Sequence, residues 1–285
     1  MTAPGLKGYN AATVSRPWNE TDDDVERFVT DNENKAGAGE KVFVSWSGGK
    51  ASTYACYKAI QSGLDVRYLA SMLTRNTGRL FPHYVTAEVL RAQAAAIGIP
   101  LFEQWLEVPE TVTQNIRFVD YDIKYVEMLQ KLKALGITGG VFGDVSIGNQ
   151  FAQAHWDRVE DFCRPVSMKP YRPLWDQDRE QMIRDMINLG FKPLVIVADN
   201  RLPDLLGRVL DNAILDDLKQ RYESSPEQVR IYYHTFVLDG PMFKSRLEIT
   251  KSDKVAAGGI SYLDMKACCL VPKPATPSHN SEPSR

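Results

Sequence analysis

The stretch Val42-Phe43-Val44-Ser45-Trp46-Ser47-Gly48-Gly49-Lys50-Ala51-Ser52 sets the expectation for the whole fold. Its first three residues form a short apolar run, the pattern of a buried parallel strand. Two glycines follow, which let the backbone bend sharply and bring its amides close to an anion. Residues 52–61 then have helical character, with Tyr54, Ala55, Tyr57 and Ala59 able to line one side, and Gly63 stops them. A helix start adds free N–H groups and the positive end of a dipole. Ser47 and Ser52 supply hydroxyls, and Lys50 a cation. Together these predict a phosphate cradle; a tight strand-to-helix turn with no ligand is the alternative. The spacing is neither the G-x-x-x-x-G-K-[ST] of a Walker loop nor a G-x-G-x-x-G dinucleotide fingerprint.

Downstream the chain alternates. Residues 66–73 read as a strand, 87–97 as a helix closed by Gly98, and 101–106 as a third strand. Residues 121–135 read as a helix with Ile123, Val126, Leu129, Leu132 and Leu135 on one stripe, closed by Gly136. Gly140-Val141-Phe142-Gly143 reads as a fourth strand, 151–162 and 178–189 as helices, and 194–197 as a further strand. This predicts an α/β fold, a parallel sheet with helices on both faces. Ligands in such sheets sit beyond the carboxyl ends of the strands. That edge carries Ser45 to Lys50, Leu73-Thr74-Arg75 and Gly143-Asp144.

After Asn200 the texture changes. Residues 201–222 look helical with interruptions. Residues 231–238 and 243–249 are β-rich and separated by Asp239-Gly240-Pro241, a hairpin signal. Residues 260–271 suit another strand. A smaller α+β C-terminal unit is therefore expected. The predicted division is an N-terminal extension at 1–39, a nucleotide-binding domain at 40–170, a substrate-binding α+β unit at 171–271 and a disordered tail at 272–285. Within the extension, Thr21 or Asp22 can cap a short helix, and residues 31–40 read as a linker.

The 285 residues carry a formal net charge of -2, so no global basic field draws the chain to nucleic acid. Cys56, Cys163, Cys268 and Cys269 fit no C-x-x-C or zinc spacing and read as reduced thiols. No apolar run approaches the ~20 residues that span a bilayer, and the N-terminus lacks the pattern of a secretory signal. A cytoplasmic protein is expected. The oligomeric state is not legible.

The glycine segment resembles the pyrophosphatase loop (PP-loop) of ATP-dependent adenylating enzymes, S-G-G-x-D-S after a first strand. More narrowly, the chain resembles the diphthine–ammonia ligase family over roughly residues 41–250. The matching pieces are Val44 to Lys50, Val141-Phe142-Gly143-Asp144-Val145, Pro173-Leu174-Trp175, Leu206-Gly207-Arg208-Val209-Leu210-Asp211, and the run Tyr233-His234-Thr235-Phe236-Val237-Leu238-Asp239-Gly240-Pro241-Met242-Phe243. The resemblance implies a PP-loop, HUP-like nucleotide fold using ATP and magnesium. The implied chemistry is adenylation of a carboxylate, that of diphthine on elongation factor 2, followed by attack of ammonia. Pyrophosphate and AMP leave. It also implies that Ser45, Ser47, Gly48, Gly49, Lys50, Ser52, Leu73 and Gly143 hold the nucleotide, Leu73 through backbone groups. Lys50, Asp144 and His234 are the implied catalytic residues, with Asp144 the metal ligand. His83, Trp175, Tyr233 and Thr235 are the implied acceptor-binding residues.

Each residue has a plainer reading. Asp144 suits a turn or helix cap, His83 a surface loop, Trp175 packing, and His234 and Thr235 an alternating strand. His155 and Cys163 lack metal-site partners and read as structural.

Two departures stand at functional positions. Ala51 occupies the place of the loop's acid, a natural magnesium ligand. The family's Gly/Glu-rich run before its Y-x-T segment reads Pro226-Glu227-Gln228-Val229-Arg230-Ile231-Tyr232 here. They leave open a second reading, a nucleotide-binding family member without ligase turnover that acts as a scaffold or regulator. A tRNA- or sulfur-transfer enzyme is a weaker third. Another acid, Asp144, Asp199 or Glu227, can be sought in the space left at Ala51.

Overall fold

The computed structural model describes residues 39–107, 118–146, 152–224 and 232–273. The cap at Thr21 or Asp22, linker residues 31–38, Phe151, segment 225–231 with Glu227 and Arg230, and the tail from 274 lie outside these residues.

The first sheet is built on β1 (Lys41–Ser45). Val42, Phe43 and Val44 are fully buried, because this strand is covered on both faces. Parallel neighbours are β2 (Asp65–Thr74) on one side and β6 (Gly139–Val141) on the other. Beyond them lie β5 (Leu101–Leu106), parallel to β2, and β7 (Lys169–Tyr171), parallel to β6. Two short strands, β3 (Arg79–Leu80) and β4 (Val85–Thr86), add an antiparallel flap to the end of β2.

Helices α1 (Lys50–Gln61) and α2 (Ala87–Ile97) pack with Val42 and Val44. Helices α3 (Phe118–Ala134) and α4 (Ala152–Cys163) pack with Phe43 on the opposite face. Thr86 caps α2 by accepting from the Val89 amide, and Gly98 closes it in the left-handed conformation. The expected stripe on α3 is corrected. Tyr125, Met128, Leu129 and Leu132 are buried, whereas Ile123 and Leu135 are 54% and 42% exposed. Steps of three residues lag a full turn by about 60° each, so a run spaced only by threes leaves the buried face at its ends.

The second sheet is antiparallel, in the order β10 (Ser245–Ala257), β11 (Ile260–Pro272), β8 (Pro193–Asp199), β9 (Tyr233–Val237). Helices α5 (Arg179–Asn188) and α6 (Asn212–Ser224) belong to this half. Two expectations change here. The strand at 194–197 joins this sheet rather than the parallel one. Residues 231–238 and 243–249 do not pair as a hairpin: β9 pairs with β8, and β10 with β11. Gly240 is demanded by packing instead, since a Cβ there would lie 2.1 Å from the Phe191 ring. The hairpin turn is Gly258-Gly259, with Gly258 at φ +68°.

Residues of both sheets share one core, in which Val44 and Tyr54 join Phe191, Val195 and Phe236. Among the described residues no helix is long and apolar enough to cross a membrane. All four cysteines are free thiols. Burial pushes Cys56 and Cys163 up to about 12, so neither is a ready nucleophile.

Candidate functional site

The glycine loop leaves β1 at its carboxyl end and is held from three sides. Ser45 Oγ accepts a hydrogen bond of 2.9 Å from the Tyr125 hydroxyl on α3. The Trp46 indole N–H donates to Gln93 Oε1 at 3.0 Å. Gln93, fully buried on α2, donates in turn to the Gly48 carbonyl at 3.0 Å and the Val237 carbonyl at 2.7 Å.

The third side is β9, whose Val237 amide donates to the Gly48 carbonyl at 2.9 Å. Thr235 Oγ1 accepts from the Lys50 amide at 3.0 Å. Gly48 has φ +71°, and a Cβ there would lie 2.5 Å from Gln93 Oε1 and 2.6 Å from the Phe236 ring. A Cβ on Gly49 would lie 2.8 Å from the Thr235 carbonyl oxygen. The two glycines thus admit the second sheet to the loop, a requirement the sequence did not reveal.

The serines meet as expected. Ser47 Oγ and Ser52 Oγ are 3.1 Å apart, Ser47 Oγ accepts from the Gly49 amide and Ser52 Oγ from the Ser47 amide. The first turn of α1 holds no acid.

Around this frame the site is positive. Lys50 is 8% exposed, its Nζ lies 4.3 Å from the Tyr233 ring centroid, and it has no anionic partner among the described residues. Burial, reinforced by the Arg179 charge, lowers its pKa to about 7. The His83 and His234 rings lie 4.3 Å apart, and His234 Nε2 is 2.8 Å from the Tyr232 hydroxyl. Burial, with Lys50 and Arg179, lowers His234 to about 4. Burial, His234 and Lys50 hold His83 well below the ordinary histidine value, against a hydrogen bond to the Thr235 backbone. His83 Nδ1 is buried without a hydrogen-bond partner among the described residues. A buried lysine with no anionic partner among the described residues, beside an orphaned ring nitrogen, makes a place for a negatively charged ligand.

A second arm follows β6. A Cβ on Gly143 would lie 2.8 Å from the Ala51 carbonyl carbon, so this glycine lets the segment close on the first turn of α1. The Trp175 carbonyl accepts from the Ser146 amide at 2.9 Å and also from its hydroxyl. The Trp175 ring meets Trp156 edge-on at 4.7 Å, and Trp156 covers the Arg172 guanidinium at 3.8 Å. Asp144 carries a half-buried carboxylate 3.2 Å from His155 Nδ1, and this hydrogen bond raises the His155 pKa. His155, read from sequence as structural, is therefore the partner of a candidate site acid.

The structure brings Ser45, Ser47, Gly48, Gly49, Lys50, Ser52, His83, Tyr233, His234 and Thr235 around one loop. Gly143 touches that loop from the Asp144–Trp175 arm. Leu73 is fully buried in β2, paired with Trp105. Asp199 is tied to Arg201 at 2.7 Å. Among the described residues no three His, Cys, Asp or Glu side chains converge as a metal cluster. Gln93, Tyr232 and Arg179 were missed from sequence. A glutamine amid the apolar residues of 87–97 was the only usable signal.

Comparison with known proteins places these features in a family. Residues 40–170 match the diphthamide synthase N-terminal domain model, and residues 178–271 the C-terminal domain model. A diphthine–ammonia ligase of Schizosaccharomyces pombe is 26% identical over 248 residues, which is 80% of this chain and 39% of that protein. The Homo sapiens protein of the same name is 26% identical over 221 residues, 73% of this chain and 82% of that one. The Mus musculus protein is 26% identical over 244 residues, 80% of this chain and 91% of that one. A solved structure described as a predicted subunit of tRNA methyltransferase from Methanocaldococcus jannaschii aligns with a TM-score of 0.38 and 12% identity, covering 71% of this chain and 98% of that one, and carries no weight here.

Proposed function

This chain belongs to the diphthamide synthase family, and from that membership we propose that it is an ATP-dependent carbon–nitrogen ligase of the diphthine–ammonia kind. A carboxylate oxygen attacks the α-phosphorus of ATP, and pyrophosphate leaves. Ammonia then attacks the acyl-adenylate, giving the amide and AMP. The activation is needed because oxide is a poor leaving group and AMP a good one. The observation that carries the reading is Lys50, buried at the loop with no anionic partner among the described residues.

Residues 40–170 are the proposed nucleotide-binding unit and 171–271 the acceptor-binding unit, in the cytoplasm. Lys50, Ser47 and Ser52 hold phosphates, with Gly48, Gly49, Ser45 and Gly143 shaping the cradle and Leu73 lying toward the base. His234, with His83, Tyr233 and Thr235, faces the reacting carboxylate. His234, held neutral by burial at ordinary pH, can accept a hydrogen bond from the attacking ammonia and orient it. Trp175 fixes the Asp144 segment through its carbonyl.

Magnesium in nucleotide sites takes one or two carboxylates plus phosphate oxygens, and Asp144, next to the Gly143 that touches the first turn of α1, meets that need with a single carboxylate. Asp144 is the residue that would hold it, and the ion would offset charge on departing pyrophosphate.

The acid-free first turn of α1 favours one other reading, a family member that binds nucleotide without turnover. ATP–pyrophosphate exchange with a diphthine acceptor, run on this chain and on Ala51→Asp, separates the two. Exchange by the chain itself supports the ligase. Exchange by Ala51→Asp alone assigns the chain to the silent class.

A further inference from the structure

Arg179 is the first residue of α5, directly after its cap Asp178, whose carboxylate accepts from the Gln181 amide at 2.9 Å. A cation at this end of a helix opposes the helix dipole. Three other arginines of this half are neutralised: Arg184 pairs with Glu180 and Asp216, Arg201 with Asp199, and Arg221 with Asp204 and Asp217, while Arg208 and Arg246 share with Arg179 the lack of an ion pair among the described residues. Glu180, adjacent to Arg179 in sequence, is taken by Arg184 and Lys219. Arg179 is exposed and has no ion pair or hydrogen bond among the described residues.

Its charge is nevertheless felt inside the site. It acts on Lys50, Tyr233 and His234. Helix α5 packs against α1, the helix that Lys50 opens, through a shared core that includes Tyr54, Met182 and Met186. The two helices pack together across the two halves of the chain, and each begins with a cation that has no ion pair among the described residues. One of those cations is more than nine-tenths buried, and an orphaned His83 nitrogen lies beside it. Such an arrangement repels itself until an anion arrives.

We propose that Arg179 is a phosphate-binding residue of this site, contributed by the C-terminal half, and that with Lys50 it clamps the β- and γ-phosphates of a nucleoside triphosphate and the pyrophosphate released from it. This rests on the nucleotide reading of the loop. Its planar fork suits two phosphate oxygens at once, whereas Lys50 acts as a point charge. An assignment to these phosphates predicts selectivity: ligands lacking them should not sense Arg179.

The test is calorimetric titration of the full chain and of Arg179→Gln and Arg179→Lys with ATP, inorganic pyrophosphate and AMP, each with magnesium. Arg179→Gln should bind ATP and pyrophosphate roughly 10- to 100-fold more weakly and AMP unchanged, with Arg179→Lys in between. The melting temperature should not fall, because the side chain is exposed and unpaired. The His234 pKa, read by NMR, should rise in Arg179→Gln. Unchanged binding of ATP and pyrophosphate by Arg179→Gln overturns the assignment, as does equal weakening of AMP. If the wild-type chain binds ATP with this Arg179 dependence but never forms AMP, the ligase reading fails and the assignment stands.

Discussion

The loop arm and the Asp144 arm of the site are built on opposite electrostatic principles. Around the loop, Lys50 is buried with no anionic partner among the described residues, and His83 and His234 are kept neutral. On the other arm, Asp144 is half-buried and already paired with His155, which is thereby made a stronger base. Their pH behaviour is opposite in sign. A group whose pKa is lowered on folding stabilises above its unfolded value and loses that contribution as pH falls through the folded value. For Lys50 the loss runs from 10.5 down to about 7, and for His234 from 6.5 down to about 4. His155 is raised, so its contribution is present at low pH and fades as pH rises through the raised value. The loop arm therefore gives up stability to hold a buried amine that a bound anion can charge, while the Asp144 arm is stable as it stands.

The contrast is broken most severely at Lys50. Lys50→Met should weaken ATP binding by about 100-fold or more, the loss of a charge-assisted contact in a buried site. It should also stabilise the ligand-free protein at neutral pH by about 2 kcal/mol, because a desolvated ammonium is removed. Urea melts at pH 7 and pH 9 check this: the wild type should be more stable at the higher pH, and the variant should lose most of that difference. A variant less stable than wild type at both pH values would mean that Lys50 is a structural residue.

Gly48→Ala sharpens the mechanical side of the comparison. It places a Cβ against Gln93 and Phe236 at positive φ, and should cost about 1–3 kcal/mol in urea unfolding. A neutral result would show that β9 does not grip the loop. Next in size is proton linkage. A bound phosphate raises Lys50, so ATP binding slightly above neutral pH should take up to about one proton, seen as a buffer-dependent calorimetric enthalpy. Lys50→Met should abolish that uptake. The smallest expected effect is at the other arm. Asp144→Asn should change stability by no more than about 0.5 kcal/mol and lower the His155 pKa, measurable by NMR, while weakening the magnesium dependence of ATP binding.

What could be read in advance followed the range of the interactions. β1, the glycine loop and α1 were legible because an apolar triplet, two glycines and a helical run are local signals. β7 was missed because it is three residues containing Pro170, a residue tolerated at a sheet edge. The hairpin was misplaced because Asp239-Gly240-Pro241 imitates a turn that Phe191 in fact requires, whereas Gly258-Gly259 makes the real one. Ser47, Ser52 and Lys50 were visible as candidates from their own segment. Gln93, Tyr232 and Arg179 were not, since each acquires its place only when a distant element folds onto the loop.

The most direct test of the account is titration of the full chain with ATP in the presence of magnesium, near neutral pH, followed by calorimetry. Binding accompanied by proton uptake is the predicted result. The absence of ATP binding by the folded protein would contradict the central claim that the loop carrying buried Lys50 is a nucleotide phosphate site.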